Sequence, residues 1–191
     1  MSLEIEDKHK YLGKLLIAHP NLSPLDWFHR TVIYVYSYSK DIGALGLVLN
    51  VASKLTVSEL CAQHSIDFPY NRPVYIGGPV TPSSVIMLHS NEWHSRNTAT
   101  AGPGYSVTSD YDMFEKIAES NEPAYWRITA GISSWGPGQL EQELAGEYPY
   151  RVENSWLIAD ANDRIIFDYD GERQWEEALS LSSKQLFDTW I

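Results

Sequence analysis

The chain has 191 residues, of which 43% are hydrophobic and 13% aromatic, and its 25 acidic and 14 basic residues give a formal net charge of −11. A length of ~100–200 residues is typical of one domain, so we expect a single domain over residues 1–191, and the apolar content excludes a disordered chain. The negative charge argues against duplex nucleic acid as a partner, because such binding depends on Lys and Arg side chains that displace counterions from phosphates.

Eight segments rich in β-branched and aromatic residues predict strands, at residues 31–37, 44–50, 74–78, 85–89, 105–108, 124–133, 155–160 and 164–169. The last two are interpreted as a hairpin around residues 161–163. Helices are predicted at residues 56–64, where Thr56 and Glu59 have the capping-box spacing, from residue 109 onward, and at residues 172–181. Strands and helices do not alternate regularly, which indicates an α+β fold rather than a doubly wound sheet.

The sequence also bears on the cellular compartment. The first ten residues, MSLEIEDKHK, lack the apolar region of a signal peptide. No apolar run approaches the ~20 residues of a membrane-spanning helix. The single cysteine, Cys61, cannot form an intramolecular disulfide. We therefore expect a cytoplasmic protein without a membrane partner.

Several segments occur together in one order: LLIAHP, WFHRTVIYVY, GALGLVLN, YIGGPV, VIMLHS, GISSWGPGQLEQEL and ENSWL. This ordered set, over about residues 11–181, resembles the AlgH/YqgE family of small bacterial proteins. The resemblance implies one α+β domain whose bifurcated, mostly antiparallel sheet folds into a pseudo-barrel with a few flanking helices. It also implies a cytoplasmic protein without an established enzymatic activity, in a family that often carries a transcriptional-regulator label.

One candidate binding site is the turn Gly77-Gly78-Pro79. It lacks the Gly-Lys-Ser/Thr ending of a phosphate loop and no helix follows it, so the glycines are interpreted as a bend or bulge at a strand end. A Gly-Gly turn would nevertheless let a ligand approach the backbone closely. Asn50 is a further candidate, although Val51 and Ala52 follow it where family members often have Lys-Pro.

An enzyme remains the alternative, with a hydrolase or transferase site assembled from His19, Arg30, His89 and Glu141. No serine-nucleophile motif supports it, since Gly131-Ile132-Ser133 is followed by Ser134 and Trp135 rather than by a spaced glycine. The His89, Glu92 and His94 spacing matches no zinc signature, and no cofactor fingerprint occurs. We expect a binding or regulatory module for an unknown protein or small molecule, without metal or cofactor.

The segment ISSWGPGQLEQELAG, residues 132–146, is interpreted as a strand-to-helix junction rather than an active site. In this interpretation Gly136 is the N-cap, Pro137 the first helical residue, and Gln139 reaches back to the Gly136 N–H. Trp135 and Leu140 then form a hydrophobic staple that fixes the angle between strand and helix.

The C-terminal residues carry an apolar stripe at helical spacing, formed by Leu186, Phe187, Trp190 and Ile191. Two interpretations remain open: packing on the chain's own domain, or contact with a second copy in a homodimer.

Overall fold

The structure is a computed structural model that describes residues 10–146 and 155–189. Within these residues ten strands run in chain order: β1 (Lys14–Ala18), β2 (Val32–Ser39), β3 (Gly43–Val48), β4 (Ala52–Thr56), β5 (Pro73–Ile76), β6 (Val80–Ser90), β7 (Ala99–Thr100), β8 (Tyr105–Thr108), β9 (Trp126–Trp135) and β10 (Trp156–Asp160). The same residues contain the helices α1 (Val57–Ala62), α2 (Asp112–Ala118), α3 (Gln139–Ala145) and α4 (Gly171–Asp188), and a π-helix (Arg164–Asp168).

Strand β9 is the branch point of the sheet. Its first half pairs with β6 on one side and β5 on the other, whereas residues 133–135 pair with β3. The order of the described strands is β10-β1-β2-β3-β9-β6-β8-β7, with β4 joined to β5 off this path. Their pairing is antiparallel except between β5 and β9. The predicted α+β class, with a bifurcated, mostly antiparallel and curled sheet, is confirmed.

Two hydrophobic clusters support the two parts of the sheet. The larger cluster combines residues of β1, β2, β3 and β10 with Trp175 and Ala178 of α4. The smaller cluster joins α1 and α2 to β5 and the first half of β9, with Val74, Trp126 and Ile128 among its members. Strand β9 contributes to both clusters, so its position ties the two parts of the domain together.

Local capping signals are confirmed at α1. The Thr56 hydroxyl accepts a hydrogen bond from the Glu59 N–H at 3.2 Å, and the Glu59 carboxylate accepts one from the Thr56 N–H at 2.9 Å. The last helix begins at Gly171, one residue before the predicted start, and continues to Asp188 rather than ending at residue 181. Its buried Trp175 and Ala178 lie on the apolar face that the sequence predicts.

The predicted hairpin between residues 155–160 and 164–169 is wrong. Strand β10 pairs with β1, and its other edge is closed by α4: the Asp160 N–H donates to Gln185 Oε1 at 2.8 Å, and the Ser182 hydroxyl donates to the Ile158 carbonyl at 3.1 Å. Residues 164–168 therefore find no free strand edge there, and they form a π-helix despite their β-branched composition.

Candidate functional site

The Gly77-Gly78 turn is a close crossing of two backbones at the sheet branch. A Cβ atom on Gly77 would lie 2.2 Å from the Gly131 carbonyl oxygen, and one on Gly78 would lie 2.2 Å from the Ile132 carbonyl carbon. The Gly77 carbonyl accepts hydrogen bonds from the Val48 N–H and the Ser133 hydroxyl. Strand β9 thus fills the space that a ligand would need on this side of the turn. The adjoining Pro79 is exposed.

His89 is fully buried within a hydrogen-bonded chain. Its Nδ1–H donates to the Ser90 carbonyl at 2.8 Å, which leaves Nε2 to accept from the Thr108 hydroxyl at 3.0 Å. Burial lowers the pKa of the imidazole below its ordinary value of 6.5, and His94 acts in the same direction, while the Ser90 contact and Glu92 oppose them. The histidine is therefore a neutral structural residue without access to a substrate.

This burial predicts a pH dependence of stability. Below pH 6.5, the ordinary histidine pKa, the unfolded chain gains a proton on this side chain that the folded chain does not. The His89 contribution to the free energy of unfolding is therefore complete above pH 6.5 and falls as the pH decreases toward the lower pKa of the folded state. Urea melts at pH 7.5 and 5.5 would show a smaller pH difference for His89→Gln than for the wild type. An equal difference in both proteins would contradict the prediction.

Two other sequence candidates, Asn50 and Arg30, contact the first turns of α4. The Asn50 side chain accepts from the Val32 N–H at 2.9 Å and donates to the carbonyls of Arg30 and Gly171 at 2.8 and 3.0 Å. Arg30 has a left-handed backbone (φ 55°), pairs with Glu172 and lies over the Trp175 ring at 5.2 Å. These contacts join a loop to a helix, so Asn50 and Arg30 act as structural links.

His19 and Glu141 have separate local roles. His19 Nδ1 accepts from the Asn21 N–H at 3.1 Å within a loop. The Glu141 carboxylate accepts from the Tyr38 hydroxyl. Among the described residues no hydrogen bond or ion pair joins any two members of the proposed enzymatic set, which consists of His19, Arg30, His89 and Glu141.

The junction after β9 does not have the predicted register. Gly136 is not the N-cap: the helix α3 starts at Gln139, and Gly138 precedes it with a left-handed φ of 74°. The Gln139 N–H donates to the Gly136 carbonyl at 3.0 Å, closing a type II turn with Pro137 and Gly138 at its two central positions. Proline followed by glycine favours that turn over a helical start, which moves the helix two residues later.

Because the helix starts two residues later, Trp135 and Leu140 do not occupy the predicted staple positions, but the predicted Gln139 contact forms and both apolar side chains are buried. Gln139 Oε1 accepts from the Gly136 N–H at 3.0 Å. Trp135 is 3% exposed and Leu140 1% exposed. The Glu143 carboxylate accepts from the indole N–H groups of Trp135 and Trp156 at 2.9 and 2.8 Å. The segment therefore anchors α3 on the sheet.

A cavity that the sequence did not reveal lies where β5, β9 and the π-helix meet. Its volume is about 310 Å³. The lining includes four aromatic side chains and three charged ones: Tyr75, Tyr125, Trp126, Phe167, Arg72, Arg127 and Asp168. A pocket of ~300–1,000 Å³ with aromatic walls and a few polar groups is typical of a small-molecule site. This cavity is the candidate functional site.

The floor of the cavity is fixed by Arg127, which is 5% exposed. Its guanidinium donates to the Leu49 carbonyl, to Gln174 Oε1 at 2.9 Å and to the Tyr169 carbonyl at 2.8 Å, with a longer contact of 3.4 Å to Phe167. Burial lowers the pKa of this guanidinium, although Tyr75 and Asp170 oppose the effect. The network joins β9 to the residue after β3, to the π-helix and the residue after it, and to α4, and it holds the Arg127 guanidinium in place.

The walls are aromatic side chains in ordered pairs. The Tyr125 and Phe167 rings stack at 5.6 Å between centroids with an interplanar angle of 21°. Arg127 lies 4.2 Å from the Tyr75 ring centroid, and Arg72 lies 4.2 Å from that of Trp126. Phe167 and Asp168 come from the π-helix, a rare conformation that is frequently found at functional sites.

One signal in the sequence could have revealed this site. Arg127 stands inside AYWRITAGIS, a segment interpreted as a buried strand. An arginine is almost never fully buried unless acceptors surround it, so its position required a polar network nearby. The partners in that network come from residues about 40–80 positions away in the chain and have no local pattern.

In residues 10–146 and 155–189, no group of three or more His, Cys, Asp or Glu side chains lies close enough to hold a metal ion. The helices in this part of the chain are too short or too polar to span a membrane.

Comparison with known proteins identifies the family. A family model described as AlgH-like matches residues 15–186. UPF0301 protein SPO0296 from Ruegeria pomeroyi is 37% identical over 176 residues, covering 88% of this chain and 90% of that protein. A UPF0301 protein from Shewanella denitrificans is 36% identical over 181 residues, covering 92% and 91% of the two chains.

Solved structures agree with this assignment. The solution structure of the AlgH protein from Pseudomonas aeruginosa superposes with a TM-score of 0.73 at 29% identity, covering 90% of this chain and 88% of that one. Protein DIP2367 from Corynebacterium diphtheriae has the same fold, with a TM-score of 0.67 at 22% identity. The chain therefore belongs to the AlgH-like family.

Proposed function

We propose that this protein is a cytoplasmic binding or regulatory module that holds a small ligand in the cavity between β5, β9 and the π-helix, without catalysing a reaction. The observation that carries the proposal is the construction of this cavity, in which aromatic walls surround a floor fixed by the Arg127 network. Such a preorganised site binds a ligand at a lower entropic cost than a flexible surface does.

The chemistry of the lining supports binding rather than catalysis. The lining contains no Ser, Cys, Lys or His side chain, and its one carboxylate, that of Asp168, has no histidine or other base beside it in the lining. A nucleophile, a base and a group that orients the base are the usual minimum of an acyl-transfer site. The overall charge of −11 also disfavours duplex nucleic acid as the partner.

Blocking the cavity mouth tests this proposal. Ala124 is exposed and lines the cavity, and its backbone N–H donates to Glu92 Oε1 at 2.7 Å. Ala124→Trp should therefore fill the mouth without disturbing the core. Ala62→Trp, at the exposed end of α1, is the matched control.

A thermal-shift screen against a panel of small metabolites provides the measurement, because a ligand of the native state raises its apparent stability. We expect at least one compound to raise the Tm of the wild type and of Ala62→Trp but not that of Ala124→Trp. The proposal is wrong if no compound raises the Tm, or if every active compound acts equally on all three proteins.

The contact between two copies through the C-terminal stripe stays a prediction. Leu186 and Phe187 are 64% and 72% exposed, so most of the surface of both residues is available to a second copy. Trp190 and Ile191 lie outside the described residues.

A further inference from the structure

Arg127 brings a positive charge to the cavity that no carboxylate neutralises by direct contact. Four of its N–H groups bond neutral acceptors, namely three backbone carbonyls and the Gln174 amide. Its Nε–H has no acceptor among the described residues. In that part of the chain every fully buried side-chain nitrogen or oxygen has a hydrogen-bond partner. The Nε atom therefore keeps some exposure, on a side chain that lines the cavity.

Arg72 supplies a second positive charge at the exposed edge of the cavity. Its guanidinium lies over the Trp126 ring at 4.2 Å, and within the described part of the chain it has neither a carboxylate at ion-pair distance nor a side-chain hydrogen bond. Asp168 is the one acidic residue in the lining. The lining itself therefore holds two arginines and one aspartate, while Asp170 acts on Arg127 from outside the lining and Glu122 accepts from the Trp126 indole N–H at 2.8 Å.

The apolar part of the lining is suited to a flat group. Tyr125 is 43% exposed, and its ring stacks on Phe167 with an angle of only 21° between the planes. Offset-stacked aromatic rings are favourable, and guanidinium planes also stack on rings. The cavity volume of about 310 Å³ is at the lower end of ligand sites, which fits one ring better than a dinucleotide.

We infer that the cavity takes a small aromatic carboxylate, with its ring against Tyr125 and Phe167 and its carboxylate between Arg72 and the Nε–H of Arg127. This inference rests on the proposed function, since it names the ligand class of the same site. Planar guanidinium groups are the preferred partners of carboxylates because their N–H groups match the two oxygens.

Benzoate is the probe, titrated into the intact protein by calorimetry, with benzamide and benzylamine as the neutral and cationic counterparts and cyclohexanecarboxylate as the non-aromatic one. We expect benzoate to bind more tightly than the other three compounds. We expect Arg72→Gln to weaken the affinity for benzoate by about tenfold and to leave the affinity for benzamide unchanged, because only the anion loses a charge-assisted hydrogen bond.

Three variants complete the design. Asp168→Asn removes the opposing charge and should tighten benzoate binding. Arg96→Gln, which removes an exposed arginine paired with Asp112 outside the cavity lining, should have no effect and controls for a general change in net charge. Ala124→Trp should abolish binding of benzoate.

The outcomes separate the ligand class from the site. Benzamide or benzylamine could bind at least as tightly as benzoate and be blocked by Ala124→Trp. That result would overturn the preference for a carboxylate and would leave the cavity as a binding site. Cyclohexanecarboxylate binding as tightly as benzoate would overturn the aromatic requirement. If neither Arg72→Gln nor Ala124→Trp changed the affinity for benzoate, benzoate would bind outside the cavity and the inference would be wrong. The inference would also be wrong if none of the four probes bound.

Discussion

Replacement of Arg127 by methionine is expected to lower the free energy of unfolding by about 3–5 kcal/mol. The change leaves the Leu49 and Tyr169 carbonyls and the Gln174 amide oxygen without their donor in a buried region. Each unsatisfied buried acceptor costs about 1–3 kcal/mol, and the methionine side chain recovers part of that sum because no charge has to be desolvated. Urea denaturation followed by circular dichroism measures the difference.

Two further variants show whether the network or the side-chain volume matters. Arg127→Lys should recover only part of the loss, because an ammonium group has three donors and cannot reproduce the planar fork of the guanidinium. Arg173→Met, at an exposed arginine of α4, should change stability by less than about 0.5 kcal/mol. An Arg127→Met protein as stable as the wild type would mean that the network contributes nothing to the fold.

Truncation of Trp135 to alanine is expected to cost about 3–5 kcal/mol, the usual cost of removing a buried aromatic side chain. Trp135 is 3% exposed in the larger hydrophobic cluster, and its indole donates to Glu143 at 2.9 Å. The same carboxylate accepts from Trp156. The substitution therefore removes packing from the core and one of the contacts that orient α3.

Gln139→Ala is the matched control within the same junction. It removes the hydrogen bond to the Gly136 N–H, which lies at an exposed turn. The expected cost is about 0.3–1.5 kcal/mol, the range of a capping contact. Urea melts of both variants provide the measurement. If both left stability unchanged and abolished the binding of a ligand, the segment would be a functional site rather than a strand-to-helix anchor.

Local patterns in the sequence were sufficient where a structure depends on neighbouring residues. The Thr56–Glu59 capping box forms because both partners lie within one helical turn. Strand β8 has the predicted bounds, residues 105–108, since its turn signals and β-branched residues are adjacent. Gln139 reaches the Gly136 N–H, although the preceding Pro-Gly pair forms a turn instead of the first helical turn.

Sequence reasoning was insufficient where the local structure depends on a free strand edge or on a residue far away in the chain. Residues 164–168 have the composition of a strand, but Gln185 and Ser182 of α4 already occupy the free edge of β10. None of the eight proposed binding residues lines the cavity between β5, β9 and the π-helix, because a single sequence shows residue types but not which of them share a cavity.

The sequence by itself determined the fold class, the family, the position of most strands and the capping box of α1, since these depend on composition, order and short spacings. Only the tertiary structure decided where a ligand could bind. Arg72 directly precedes β5 and Tyr75 lies within it, Tyr125 and Arg127 lie on either side of the first residue of β9, and Phe167 belongs to the π-helix. These residues meet because β5 and β9 pair in parallel and Arg127 holds the π-helix through backbone carbonyls. Such contacts join residues about 40–90 positions apart, and no short-range pattern in the sequence encodes them.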